Sequence, residues 1–444
     1  MADAEGGILI RGGRIVDPAS GLDGEGDLYV AGGLVRGIGA AATALGRESR
    51  ARVVDASGCA VVPGLIDLHV HFREPGACHK EDIASGSLAA AKGGYTTVCC
   101  MPNTDPAIDG PETLAFVDRR GREAGRVNLL AAGAMTRGQA GAELSDIDGM
   151  CALRTRCGEL AGRGICALTE DGKTLMDPAL MRRLAEKAAG LGLPVMDHAE
   201  SRAVSGLAAS GGPASAGSWP AGACPKAEAD IVARDIRLAA ETGCRMHIQH
   251  VSAKESVALL REARARGRGI SAETAPHYLA LTEDALRLHG ADAKMNPPLR
   301  GEADRQAVLE GIADGSIGLI ATDHAPHAEE EKARGIESAP FGVTGLETGF
   351  AVSYTVLVMG GVVTLAGLIR LMSASPAALA GLPRGRIAVG DAADIAVIDI
   401  GRPYRIDRDT FVSKGKNTPF HGMRVYGRTR CTILGGRMVW EDDR

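Results

Sequence analysis

Two histidines separated by one residue, His69-Val70-His71, close a short apolar run that begins at Leu65. In a β-strand successive side chains alternate between faces, so both imidazoles would project from one side and could share an ion. The same kind of residue recurs where four further apolar runs end: Glu170-Asp171, His198, His250 and Asp323. Imidazole nitrogens and carboxylate oxygens together suit Zn2+, with Mn, Co or Fe as competitors. A lone H-x-H pair is a weak signal. Five polar positions at five run ends, using four of the chain's eleven histidines, are hard to produce by accident.

The elements that must position these residues are eight apolar runs: 65–69, 96–100, 127–132, 164–168, 194–196, 246–248, 269–271 and 318–321. Helical periodicity lies between most of them, as in 179–189, where Leu180, Leu184 and Ala188 share a side, and in 254–265, with Val257, Leu260 and Ala263. Strands alternating with helices predict an α/β protein of the (β/α)8 TIM-barrel type, whose chemistry sits at the C-terminal strand ends. Helices around 346–358 and 365–380 would complete the outer ring. Residues before the first run read as short strands with hairpin signals at Gly12-Gly13 and Gly32-Gly33. The C-terminal end repeats that texture, as in 393–398 and 431–440. The expected organisation is a barrel over 63–384, with 1–62 and 385–444 contributing the two parts of one small β-rich domain.

Composition narrows the function. At 444 residues, with 45% hydrophobic and 24% charged residues, the chain has a globular balance. A net charge of −5 offers no basic face for nucleic acid. The ten cysteines lack C-x-x-C spacing and read as buried free thiols of a reducing cytosol. The opening MADAEGGILI has no basic start or long apolar core, so no signal peptide is expected and the chain reads as cytoplasmic. The uncharged stretch 348–369 is broken by Gly360-Gly361 and reads as a covered helix and a turn, not a membrane span.

Of the other histidines, His79 and His289 read as solvated and His324 as facing away from Asp323. His247, three residues before His250, is expected on the outer, helix-packed side. His277 and His421 stay unassigned, and His327 lies on a loop just past Asp323.

The segment 63–76, PGLIDLHVHFREPG, resembles the amidohydrolase superfamily and within it the class I dihydroorotases. The likeness continues at Gly93 to Thr97, Met101 to Thr104, Lys294 to Arg300, Ala321 to His327, Gly345 to Thr348 and Ser413 to Phe420. It implies that His69, His71 and Asp323 hold one metal, that His198 and His250 hold a second, and that Asp171 bridges them, with one or two Zn2+ ions bound. Hydantoinases bridge with a carboxylated lysine. Here 165–170 contains no lysine, Lys173 lies beyond the turn, and Glu170 replaces the family's usual aspartate neighbour.

The reaction implied is the reversible closure of N-carbamoyl-L-aspartate to L-dihydroorotate in pyrimidine (UMP) biosynthesis. An amide carbonyl is a poor electrophile and water a poor nucleophile at neutral pH. A divalent ion addresses both, lowering the pKa of coordinated water to roughly 7 and polarising the carbonyl. Asp323 is then the catalytic residue, taking the proton from water and passing it to the departing ring nitrogen. The small-molecule substrate carries a free carboxylate. His71, Arg73, Asn103, Asn296, His327, Phe341 and Gly342 are the residues that the resemblance puts against it, Phe341 and Gly342 through their backbone. On its own, Arg73 could equally pair with Glu74 or Glu81, and the asparagines could cap loops. The stretch Glu329 to Lys332 reads as a plain solvated charge run. A homodimer and an association with aspartate transcarbamoylase are the expected assemblies. The rivals are a hydantoinase or allantoinase, and a non-catalytic partner of aspartate transcarbamoylase, the latter disfavoured because every ligand position is filled.

Overall fold

The computed structural model describes residues 7–201, 224–267 and 269–442; the segment read for a signal peptide lies partly outside them. Nine short strands in the middle of the chain are all parallel to their neighbours. Leu65–Val70 (β6), Tyr95–Cys100 (β7) and Asn128–Ala131 (β8) form one sheet. Gly133–Ala134 (β9), Leu168–Thr169 (β10), Pro194–Asp197 (β11), Arg245–Ile248 (β12), Ile270–Thr274 (β13) and Leu319–Ile320 (β14) form a second, in that spatial order. Ala132 alone separates β8 from β9, and the Cys166 amide donates to the Ala131 carbonyl at 3.1 Å. At the other side a parallel bridge joins Val70 to His324.

Helices lie between these strands for the reasons the sequence gives. The helix Pro178–Leu191 starts on Asp177, whose carboxylate accepts from the Ala179 and Leu180 amides, has Pro178 in its first turn, and stops at left-handed Gly192. Its Leu180, Leu184 and Ala188 are buried, as their spacing predicts. The helix Lys254–Ala265 likewise buries Val257, Leu260 and Ala263. One apolar cluster, with Ile66, Leu68, Cys99, Leu130, Met196 and Leu319, fills the space beneath the strand ends. All ten cysteines are free; Cys59, Cys166 and Cys244 are buried, whereas Cys78 is exposed, against the expectation of buried thiols throughout. Among the described residues no helix is long and apolar enough to cross a membrane.

Both ends of the chain enter one antiparallel-rich sheet. Ile8–Asp17 (β1), Leu22–Ala31 (β2), Leu34–Ile38 (β3), Arg52–Asp55 (β4) and Cys59–Pro63 (β5) come from the N-terminal side. Ile395–Asp399 (β15), Arg428–Leu434 and Arg437–Glu441 come from the C-terminal side. The joint is β15 against β5, Ile395 opposite Pro63 through Asp399 opposite Cys59. The hairpin at Gly32-Gly33 forms as expected. The Gly12-Gly13 signal does not make a hairpin: β1 runs through it, with a register shift between Ile10 and Gly13 and Gly12 at a φ of 71°. A glycine pair answers a bulge as well as a turn, since both need left-handed backbone. The helix Ala40–Glu48 interrupts what the sequence reads as an all-strand region.

Ile395 is fully buried in this sheet, opposite Ile433. Ile395→Ala is expected to cost about 2–5 kcal/mol, read as a lower denaturation midpoint, with metal content at the distant strand ends unchanged.

Candidate metal centre

The H-x-H pair is set in place by a residue beneath it. Asp67, fully buried on β6, accepts from the His69 amide at 3.0 Å, from the Thr322 amide at 3.1 Å and from the Thr322 hydroxyl at 2.6 Å. The His71 amide donates to the His324 carbonyl at 2.9 Å. The end of β6 is thereby clamped beside Asp323.

From there the expected ligands converge. His69 Nε2 lies 3.1 Å from Asp171 Oδ1 and 3.5 Å from Asp323 Oδ1. His71 Nε2 lies 3.1 Å from Asp323 Oδ1 and 3.4 Å from Asp171 Oδ2. His198 Nδ1 and His250 Nε2 are 2.8 Å apart, and each is 3.7 Å from Asp171 Oδ1. Two sets, His69 with His71 and Asp323, and His69 with Asp171 and His250, bring their ligand atoms within 4.8 Å of one another. Asp171 faces both sets. His198 borders the second through His250 and Asp171.

The charges in this cluster call for a cation. Burial works to raise Asp171 and Asp323, but the facing histidines outweigh it and hold both carboxyls below their ordinary range. Burial pulls His198 down, yet Asp171 and Glu200 push it up to about 10. His250 goes the other way, lowered first by burial and then by the charge on His198. His69 Nε2, fully buried, makes no well-directed hydrogen bond among the described residues, although Asp171 Oδ1 lies 3.1 Å away. Buried acidic oxygens and a buried imidazole nitrogen aimed at one point fit a divalent metal, which would sit on these atoms.

The far nitrogens of these histidines are held as well. His69 Nδ1 donates to Glu273 Oε1 at 2.8 Å, and His71 Nδ1 donates to Asn103 Oδ1 at 3.0 Å. His198 Nε2 lies 3.4 Å from Glu200 Oε2. Such partners fix the tautomer that turns the other nitrogen inward. Sequence reasoning missed Glu200 and Glu273. The signal available for Glu273 was a lone charged residue in a short strand.

Several side chains need correction. His247 does not face the helices: its Nε2 lies 3.1 Å from Glu273 Oε2, and Gln249 Nε2 lies 3.2 Å from His69 Nδ1. Strand alternation holds for 247 and 249 and breaks at His250, whose φ is 33°. Asp323 at 49° and Arg73 at 59° are also left-handed. Strained backbone of this kind costs about 1–3 kcal/mol per residue and gathers at functional sites. His324 turns away as expected, accepting at Nδ1 from the Gly345 amide at 3.1 Å. His277 is buried beside Tyr278, with Nε2 unpartnered among the described residues, and burial pulls it down to about 4. Glu170 points away from the cluster, accepting from the Met135 amide at 3.0 Å and from the Thr136 hydroxyl. Lys173 donates to the Gln139 carbonyl at 2.8 Å, so it does not bridge the ligands.

The rim holds the remaining residues. Neither alternative partner claims Arg73: Glu74 is taken by Arg120 at 2.8 Å, Glu81 faces His324 and Ser413, and among the described residues no carboxylate lies within ion-pair distance of Arg73. Its Nη2 lies 3.4 Å from His327 Nε2, which itself donates to the Phe341 carbonyl at 2.7 Å. Asn296 donates to Glu200 Oε2 at 3.0 Å, while its Oδ1 is buried and unpartnered among the described residues. The Gly342 amide donates to the Lys294 carbonyl at 2.9 Å. Lys332, at the end of the supposed solvated run, is only 6% exposed.

Parallel strands carrying these histidines and aspartates at their ends suit a metal-dependent hydrolase. Among solved structures, the chain resembles the L-hydantoinase (dihydropyrimidinase) of Arthrobacter aurescens, with a TM-score of 0.85 and 25% identity, covering 99% of this chain and 97% of that one. A D-hydantoinase of Bacillus sp. AR9 matches at a TM-score of 0.81 and 26% identity, over 98% and 95%. The dihydro-orotase-like family matches residues 58–256. A dihydroorotase of Pelobacter propionicus is 43% identical over 434 residues, 98% of this chain and 99% of its own. One of Bacillus caldolyticus is 45% identical over 398 residues, 89% and 91%. The chain belongs to the dihydroorotase family.

His69 is common to both ligand sets. His69→Ala is expected to weaken metal binding by at least ~100-fold, whereas His421→Ala, on the surface, keeps stoichiometric metal; elemental analysis of the two purified variants checks this.

Proposed function

We propose that this chain interconverts N-carbamoyl-L-aspartate and L-dihydroorotate, with Zn2+ held by His69, His71, Asp171, His198, His250 and Asp323. The observation that carries the reading is Arg73: a guanidinium at the rim of the ligand cluster with no carboxylate of its own among the described residues. The substrate of this reaction presents a carboxylate, and a planar guanidinium grips one through two parallel hydrogen bonds.

Each residue then has a task. A divalent ion, when bound, acidifies a coordinated water and polarises the amide carbonyl. Asp323 accepts the water's proton and delivers it to the departing ring nitrogen; in the ring-closing direction it deprotonates the ureido nitrogen. The facing His69, His71 and His250 hold its carboxyl below the ordinary range, so it is ionised at neutral pH. His71 stands at the junction of ligand cluster and substrate. Arg73 holds the free carboxylate. Asn296, with an unpartnered Oδ1, accepts from a substrate N–H, and Asn103 keeps His71 in its ligating tautomer while bordering the same space. His327, which burial and then Arg73 pull down to about 2, stays neutral; with Phe341 and Gly342 it closes the rim.

The same reading takes β6 to β14 with their helices as a closed (β/α)8 barrel over 63–384. The bridge between Val70 and His324 supports closure. The flanks 1–62 and 385–444 then form a small β domain, supported by the pairing of β15 with β5. A hydantoinase reading has the structural likeness on its side. Against it stand the family membership and the absence of a bridging lysine, since Lys173 is engaged elsewhere.

Turnover of L-dihydroorotate, with none of hydantoin or allantoin, is the expected result. Exhaustive chelation should abolish it and Zn2+ restore it. Asp323→Asn should lower kcat by about 10^3-fold or more. Arg73→Met should raise KM by roughly 10- to 100-fold with the metal retained. Full activity after chelation overturns the reading.

A further inference from the structure

The charge run that begins the segment after His327 hides a buried cation. Lys332 closes the single helical turn Glu329–Lys332, and its ammonium donates to the carbonyls of Ala291 at 2.8 Å, Pro340 at 3.0 Å and Lys294 at 3.3 Å. An ammonium has three N–H groups and no acceptor, so three carbonyls use it fully. Among the described residues it makes no ion pair: the acidic group that influences it, Asp292, is held by Arg408 at 3.1 Å.

These carbonyls belong to two different segments. Ala291 and Lys294 lead into Asn296, and Pro340 leads into Phe341-Gly342. Further ties run alongside: the Gly342 amide to the Lys294 carbonyl at 2.9 Å, Lys294 Nζ to the Glu337 carbonyl at 3.1 Å, and Lys294 Nζ 4.6 Å over the Phe341 ring. Gly342 itself, at a φ of 133°, admits no side chain, because a Cβ would stand 2.7 Å from the Ala325 carbonyl oxygen.

We propose that Lys332 is a positioning residue for substrate: its ammonium ties the segment presenting Asn296 to the segment presenting Phe341 and Gly342, and so sets the spacing between these two parts of the rim. Filling this space alone would not need a charge. A methionine has similar length and reach and avoids the cost of burying an ammonium, which here pulls the Lys332 pKa down to about 7. What the ammonium adds is three directed bonds across a gap between segments.

The proposal rests on the reading of Asn296 and Arg73 as substrate contacts, and the experiment separates the two. In the zinc-loaded enzyme, Lys332→Met is expected to raise KM for L-dihydroorotate about tenfold, with kcat within about threefold and metal content unchanged. Amide exchange across 290–296 and 335–342 should quicken together. Asn296→Ala and Arg73→Met serve as controls. If they raise KM and Lys332→Met does not, the proposal fails and the substrate reading stands. If none of the three moves KM, both fail. Should Lys332→Met not fold, wild-type holoenzyme decides: on adding L-dihydroorotate the two segments must gain exchange protection together, and protection of one alone overturns the proposal.

Discussion

Asp171 and Asp323, both buried, sit within a few ångströms of the same two imidazole nitrogens. Two anions so close in a poorly polarisable medium cost several kcal/mol each unless positive charge answers them. His69 and His198 answer partly, by holding protons more tightly than usual, but His250 cannot join without facing a charged His198. A divalent ion resolves the conflict at one stroke. The outer partners follow from that need: Glu273, Asn103 and Glu200 each engage a far ring nitrogen, so the inward one keeps its lone pair free.

The backbone bears the consequence. Arg73, His250 and Asp323 adopt left-handed conformations that side chains disfavour. A stiff frame must hold them there, and Asp67, gripping both the start of the H-x-H and Thr322, is part of that frame. Strand ends supply the ligands because strands are rigid. The rim, which must fit a substrate, is built from loops that are stitched by individual side chains.

This division explains what could be read in advance. The six candidate ligands stood out in the sequence because each lies at or just past the end of an apolar run, while the choice of Asp171 over Glu170 came from the family resemblance. The parallel strands and the helices 178–191 and 254–265 were legible from the apolar periodicity. Periodicity failed where the backbone leaves its regular path. His247 was assigned by counting back from His250, and the left-handed turn at His250 shifts the count. Gly12-Gly13 announces unusual backbone but not whether the chain reverses or bulges. Lys332 was illegible because its neighbours Glu329 and Glu330 belong at a surface, and only the chain's return at Pro340 covers it.

The pairing of β15 with β5 joins residues more than three hundred positions apart. On a ribosome adding about 5–20 residues per second, the N-terminal strands emerge tens of seconds before the strand that shields Val61 and Val62. Throughout that interval β5 is an exposed edge rich in valine, the kind of surface that pairs with other chains. The architecture therefore sets a race at birth between completion of the sheet and capture of its open edge. A slower rate of synthesis would burden this protein more than one whose neighbours in space are neighbours in sequence.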